Sequence, residues 1–211
     1  MSGAKLYLAR HGQTFFNLEN RLGGDSKLTP KGLEDAEKVA LWLTEVPLDA
    51  LYSSTLQRSI RTAERVHQFH PQIPLIQIPE LSEISSGDMD SMTYAEFEIR
   101  FPDLFRARQA DKYHWSFPNG ESYELALNRV RPFLETLESK GENIAIIGHQ
   151  GINRVVLGHL LDLSKEEVPH LVTPNDVVFI VDLDHKTVAY IKNGITFEGY
   201  IVDAHTRKAD V

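Results

Sequence analysis

The stretch Asn143-Ile144-Ala145-Ile146-Ile147-Gly148-His149 decides the reading of the fold. An apolar, β-branched run of this length reads as a strand buried on both faces. It ends in Gly148-His149, and a helical pattern follows from Ile152 to about Leu161. The start of the chain repeats the arrangement: the mostly apolar run Lys5 to Ala9 leads into Arg10-His11-Gly12, a strand ending in a loop. Between these two, Thr29 supplies an N-cap hydroxyl and Pro30 a first helical residue. Leu33, Ala36, Ala40 and Leu43 follow at helical spacing and predict one buried face.

Leu48 to Tyr52 predicts a second strand and Thr55 to His67 a second helix. Ile73 to Ile78 predicts an edge strand, because Pro74 interrupts it. Residues 80–119 are richer in charge and aromatics and read as an insertion over the sheet. Helical spacing returns from Glu121, with Ala126, Val130, Phe133 and Leu137 on one side. Val177 to Leu183 and Thr187 to Lys192 close the pattern around an Asp184-His185-Lys186 hairpin turn. Strands alternating with helices imply an α/β fold with three layers, α/β/α: a mostly parallel sheet covered on both faces. The 211 residues show no repeat or linker, so one domain over residues 1–211 is expected.

The composition, 42% hydrophobic and 25% charged, is that of a globular enzyme, and the net charge of −8 argues against a nucleic-acid partner. A few clustered arginines can still make a positive pocket in such a chain. With no cysteine, thiolate catalysis, disulfides and cysteine metal sites are excluded. Met1 to Lys5 carries no basic stretch leading into an apolar run, and no apolar segment approaches the ~20 residues of a membrane span. A cytoplasmic protein without a membrane partner is the expectation; the oligomeric state is not legible.

Ligands of open α/β sheets bind beyond the carboxyl ends of the strands, where His11 and His149 both fall. Arg10-His11-Gly12 brings a guanidinium and an imidazole to one strand end. Ser53-Ser54-Thr55-Leu56-Gln57-Arg58 delivers a second arginine from another. Neutral imidazole is a good nucleophile towards phosphorus, and arginines grip phosphoryl oxygens with two prongs. Two histidines and two arginines at one sheet edge suit a tetrahedral dianion, and phosphoryl transfer is mainly positioning plus charge stabilisation.

Leu8-Ala9-Arg10-His11-Gly12, Ser53 to Ala63 with Arg58 and Thr62, Glu83, and Gly148-His149 resemble the histidine phosphatase (phosphoglycerate-mutase-like) superfamily, over Lys5 to at least Val181. The resemblance implies a phosphohistidine on His11, a phosphoryl pocket of Arg10, Arg58 and His149, and Glu83 as general acid and then base. It implies no cofactor and no metal. Read without it, Glu83 is a solvated loop carboxylate.

Arg21-Leu22-Gly23-Gly24-Asp25-Ser26, Met92-Thr93-Tyr94, Asp111-Lys112-Tyr113, Pro118 to Tyr123 and His149-Gln150 through Arg154 resemble the bisphosphatase half of the 6-phosphofructo-2-kinase/fructose-2,6-bisphosphatase family. That likeness implies that Tyr94, Arg108, Lys112, Tyr123, Gln150 and Arg154 hold a second phosphate and a sugar, helped by Asn17 and the backbone near Gly23. Taken singly, Arg108 and Lys112 could be a solvated face and the two tyrosines core aromatics. The partner is then a small phosphorylated metabolite, with fructose 2,6-bisphosphate leading. The alternatives are a cofactor-dependent phosphoglycerate mutase, a broad-specificity phosphatase and a non-catalytic sugar-phosphate binder. No G-x-x-x-x-G-K-[ST] phosphate loop occurs in the chain. His67 and His70 lack a completing carboxylate and read as a solvated helix terminus.

Overall fold

The computed structural model describes residues 3–203, so Met1 and Ser2 of the amino-terminal reading lie outside the described residues, as do residues 204–211. Among the described residues seven strands form one sheet: β1 Lys5–Arg10, β2 Ala50–Ser53, β3 Leu75–Gln77, β4 Ile144–Gly148, β5 Val178–Asp182, β6 Thr187–Lys192 and β7 Ile195–Glu198, in the order β3-β2-β4-β1-β5-β6-β7. The four strands β3, β2, β4 and β1 run parallel. The closing strands β5 to β7 add antiparallel, the first two as the hairpin read from sequence. β3 lies at an edge, where Pro74 costs no ladder bond.

Every residue of β4 is buried, and its side chains alternate between two cores. Leu6, Leu8, Ile144 and Ile146 face one core; Tyr7, Ala9, Ala145 and Ile147 face the other. Burying each isoleucine contributes about 1.5–3 kcal/mol. The helices are α1 Phe15–Leu18, α2 Pro30–Leu43, α3 Gln57–His67, α4 Tyr94–Arg100, α5 Pro102–Ala110, α6 Tyr123–Glu138 and α7 Gln150–Leu160. α2 and α3 cover the second core through Val39, Ala40, Leu43, Ala63 and Val66. α6 and α7 cover the first. The connections after β1 and β4 therefore leave to opposite faces, which opens a crevice beyond their carboxyl ends.

Two expectations need correction. Leu33 is 61% exposed. The inward face of α2 is Gly32, Ala36, Val39, Ala40 and Leu43, because the first turn presses backbone, not a leucine, against the His11 loop. His67 and His70 are not a solvated terminus. His70 is buried and donates from Nε2 to the carbonyl of Leu43, the last residue of α2, at 2.9 Å; His67 Nε2 reaches the Ile73 carbonyl at 2.9 Å. His70 adds a second donor to the Leu43 carbonyl, which also accepts from Val46 N–H at 2.9 Å, and ties the end of α3 to the end of α2.

Residues 80–119 carry α4 and α5 and pack through their own small core of Leu22, Met89, Phe97 and Phe117. Their link to the loop after α1 is backbone pairing: Leu22 N–H to Met92 O and Ser91 N–H to Leu22 O, both 2.8 Å. This segment becomes one wall of the crevice.

The His11 loop meets α2 where neither side has room for a side chain. A Cβ on Gly12 would lie 2.0 Å from Gly32 O, and one on Gly32 would lie 2.0 Å from Gln13 O. Both neighbours are backbone, so Gly32→Ala should destabilise the fold by about 1–3 kcal/mol, read as an earlier denaturant midpoint at unchanged m. An unchanged midpoint contradicts this close approach.

Candidate active site

Parallel register brings three strand ends together. Arg10 pairs with Gly148 and Ser53 with Ile147, so His11, Ser54 and His149 leave the sheet at one edge. His11 N–H donates to Gly148 O at 3.0 Å. The two imidazoles sit 5.1 Å apart between ring centroids and are 2% and 0% exposed.

Hydrogen bonds select their tautomers. His11 Nδ1 lies 2.8 Å from Gly12 O, so that nitrogen carries the proton and Nε2 keeps its lone pair. Arg58, buried in the first turn of α3, donates its single Nε–H to His11 Nε2 and to His149 Nδ1, each at 3.2 Å. His149 then carries its proton on Nε2, 2.6 Å from Ser54 Oγ. Burial first, then the charges of Arg10 and Arg58, hold His11 well below the usual imidazole range. Burial and Arg58 do the same to His149. Both rings are neutral near pH 7, and His11 Nε2 carries its lone pair towards the cations.

The cations themselves are strained by burial. Arg10 is pushed down to about 10, by burial above all, with Glu83 opposing and Arg154 and Arg58 adding to the effect. Its Nε is buried without a hydrogen-bond partner, a state that an incoming oxyanion would relieve. The far end of Arg58 is held by Asp25 Oδ1 at 3.3 Å and by the Gly24 carbonyl. Asp25 Oδ2 also accepts from Gln57 N–H at 2.9 Å, which ties the loop to the start of α3.

Glu83 is not the solvated loop carboxylate that sequence alone suggests. Its Oε1 accepts from Ile84 N–H at 2.9 Å and Ile152 N–H at 3.1 Å, and its Oε2 accepts from Gly151 N–H at 3.0 Å. The carboxylate thus sits on the amino end of α7, an electropositive position. A Cβ on Gly151 would lie 2.6 Å from Oε1, so glycine is what lets the carboxylate approach. Oε1 takes two donors and Oε2 only one, so Oε2 is the less occupied oxygen.

Beyond these groups a cleft of about 740 Å³ opens, a size typical of ligand sites. Arg10, His11, Arg58 and Glu83 line it, as do Asn17, Gly23, Tyr94, Arg108, Lys112, Tyr123, Gln150 and Arg154. His149 stands behind them, reaching the cleft through Arg58. Asn17 closes the capping box of α1: its Oδ1 accepts from Thr14 N–H at 3.0 Å, leaving Nδ2 as a donor.

Arg108 and Lys112 are not a solvated face. Arg108 is buried, with its guanidinium 5.4 Å and 5.7 Å from the ring centres of Phe117 and Tyr94. Arg154 donates to the Tyr123 hydroxyl at 2.9 Å, and Lys112 Nζ donates to Pro169 O at 3.1 Å. Burial, then Arg154 and Arg108, push Lys112 down to about 8 against the pull of Asp203.

Sequence reasoning assigned no role to three polar residues of the site. Asn175 donates to the His11 carbonyl at 2.6 Å, Thr62 Oγ1 accepts from Gly12 N–H at 3.0 Å, and Ser54 holds His149. Thr62 and Ser54 lay inside the quoted motif. Asn175 stands alone in the loop before β5, where no local pattern marks it.

The profile of the histidine phosphatase superfamily (branch 1) matches residues 6–194. The bifunctional 6-phosphofructo-2-kinase/fructose-2,6-bisphosphatases of Gallus gallus and Rattus norvegicus (number 4) are each 37% identical over 171 residues. The match covers 80% of this chain but 35% of theirs, so the chain spans about a third of these relatives. Among solved structures, Bacillus stearothermophilus YhfR superposes with a TM-score of 0.76 at 27% identity, covering 95% of this chain and 98% of that one. A putative alpha-ribazole-5'-P phosphatase from Escherichia coli superposes with a TM-score of 0.77 at 24% identity, covering 95% and 97%, a likeness of fold. With the profile spanning nearly all of the described sheet and both histidines inside it, the chain belongs to the histidine phosphatase superfamily, branch 1.

Proposed function

We propose that this protein hydrolyses a phosphomonoester of a small sugar bisphosphate, through a phosphohistidine on His11, with fructose 2,6-bisphosphate as the leading substrate. The observation that carries the reading is two groups of cations, buried or partly buried, lining one cleft. Arg10 and Arg58 stand beside the imidazoles; Arg108, Lys112 and Arg154 stand with the hydroxyls of Tyr94 and Tyr123. One tetrahedral dianion explains the first group, and the second calls for another anion on the same molecule. The names of the 37% identical relatives agree with that choice.

In the first step His11 Nε2 attacks phosphorus in line, and the bond to the sugar oxygen breaks. Arg58 Nε–H, shared between the two rings, turns to a phosphoryl oxygen beside Arg10. Glu83 Oε2 gives its proton to the departing alkoxide. In the second step Glu83 takes a proton from water, whose oxygen attacks the phosphohistidine and returns His11 to its neutral form. Gln150 and Asn17 offer amide donors to the phosphate and sugar, and the backbone at Gly23 walls the opposite side.

A panel with EDTA present tests the substrate. Fructose 2,6-bisphosphate should outpace fructose 1,6-bisphosphate, 3-phosphoglycerate and p-nitrophenyl phosphate. Arg154→Ala should raise the KM for the bisphosphate about 10- to 100-fold, the worth of a charged hydrogen bond, and leave p-nitrophenyl phosphate hydrolysis within about 3-fold. Equal use of all four esters, or phosphate release from 2,3-bisphosphoglycerate coupled to mutase turnover, contradicts the assignment.

The pH profile follows from the same groups. Because His11 is depressed, kcat/KM should not fall through pH 6.5 but only at more acid pH. Lys112 loses its proton near pH 8, so the KM for the bisphosphate should climb above that pH while p-nitrophenyl phosphate is unaffected. Lys112→Arg should flatten the climb. For stability the sign is opposite: unfolded Lys112 holds its proton more tightly than folded Lys112, so stability rises between about pH 8 and the unperturbed lysine value of ~10.4.

A further inference from the structure

Glu83 belongs to a loop, residues 82–86, that has no regular secondary structure apart from the short turns on either side. A general acid there must nevertheless be held to a fraction of an ångström. The amino end of α7 fixes the carboxylate, but nothing in that contact fixes the backbone carrying it. That is done by an ion pair outside the cleft.

Arg129, in the second turn of α6, meets Glu121 in a two-pronged bridge: Nε to Oε1 at 2.7 Å and Nη2 to Oε2 at 2.8 Å. Both side chains are partly buried. The remaining hydrogen-bonding capacity of the pair goes to the Glu83 loop. Arg129 donates to the carbonyls of Glu80 and Ser82, the latter at 3.2 Å. Glu121 Oε2 accepts from Ser85 N–H at 3.0 Å, and Glu121 N–H donates to Ser85 O at 2.9 Å. Residues 82 and 85, on either side of Glu83 and Ile84, are thus pinned by one charge pair. Neither partner lines the cleft.

We propose that Arg129 and Glu121 are positioning residues for the acid–base step, acting through the loop that bears Glu83. The inference rests on the acid role of Glu83 argued above. Arg129 is planar and forked, so the geometry cannot be reproduced by lysine, which keeps the charge but loses the fork. A displacement of about 1 Å at a reacting group costs on the order of 10²-fold in rate. The loss should fall on steps that need a proton from Glu83, since nucleophilic attack by His11 does not depend on this loop.

The test compares two leaving groups, a sugar alkoxide and p-nitrophenolate, which departs without a proton. Arg129→Gln, Arg129→Lys, Glu121→Gln and the double Gln variant are assayed beside Glu83→Gln, with thermal unfolding as the check on folding. We expect each single change to cut kcat/KM, which reports the transfer to His11 and not the shared hydrolysis of the phosphohistidine, by about 10- to 100-fold for the sugar phosphate and by less than about 3-fold for p-nitrophenyl phosphate. The double variant should be no worse than the worse single, because the two act as one unit. Equal losses on both substrates, or recovery in Arg129→Lys, would overturn the proposal in favour of a long-range charge effect on the phosphoryl pocket. If Arg129→Gln does not fold, Glu121→Gln and Arg129→Lys read the same ratio. If Glu83→Gln itself shows no leaving-group dependence, the acid role falls and this inference with it. If Glu83→Gln shows it and the clamp variants do not, only the clamp is wrong.

Discussion

The single Nε–H of Arg58, shared between His11 Nε2 and His149 Nδ1, is the contact on which the site turns. A buried imidazole has two tautomers, and a nucleophile needs its lone pair on the nitrogen that faces the substrate. Gly12 O takes the proton side of His11, and Arg58 confirms the lone pair on the other side. The same N–H fixes the opposite tautomer choice in His149. Everything around it serves to hold Arg58: Asp25 and Gly24 at its far end, α3 beneath it, and α2 behind the His11 loop. The parallel register of β1, β2 and β4 then brings these elements to one edge.

Such an arrangement costs the fold stability. Arg10 and Lys112 are both held below their ordinary proton affinities, mainly by burial, and Arg10 Nε has no partner. Charges whose loss of water outweighs the pull of the nearby carboxylates lower stability and raise the attraction for an anion by the same physics. An acidic chain can therefore present a cationic cleft, because the local field counts more than the net charge of −8. Glu83 stands as an opposing charge near both arginines, and its carboxylate is secured by three backbone N–H groups.

The sequence made the sheet legible because burial on both faces writes itself as an unbroken apolar run, as in Ile144 to Ile147. It made His11, Arg58 and His149 legible because strand ends are ligand sites. It was silent on Glu83 except through family likeness, since a loop carboxylate resembles solvent-facing charge until the helix end it caps is known. Asn175 contacts a residue 164 positions away, and no local spacing encodes such a contact. β7 escaped notice because its residues are exposed on an outer edge and carry no buried alternation. Leu33 misled because apolar spacing cannot tell which of two adjacent residues, Gly32 or Leu33, a close backbone contact will select.

The central claim is that the phosphoryl group passes through His11. Mixing the protein with a ³²P-labelled substrate, quenching within the first turnovers and mapping the label tests it directly. The account predicts a phosphoryl group stable in base and labile in acid, on the peptide carrying His11, and absent from His11→Ala. A folded, active protein that hydrolyses substrate with no label on that peptide, or a His11→Ala variant that keeps its turnover, contradicts it.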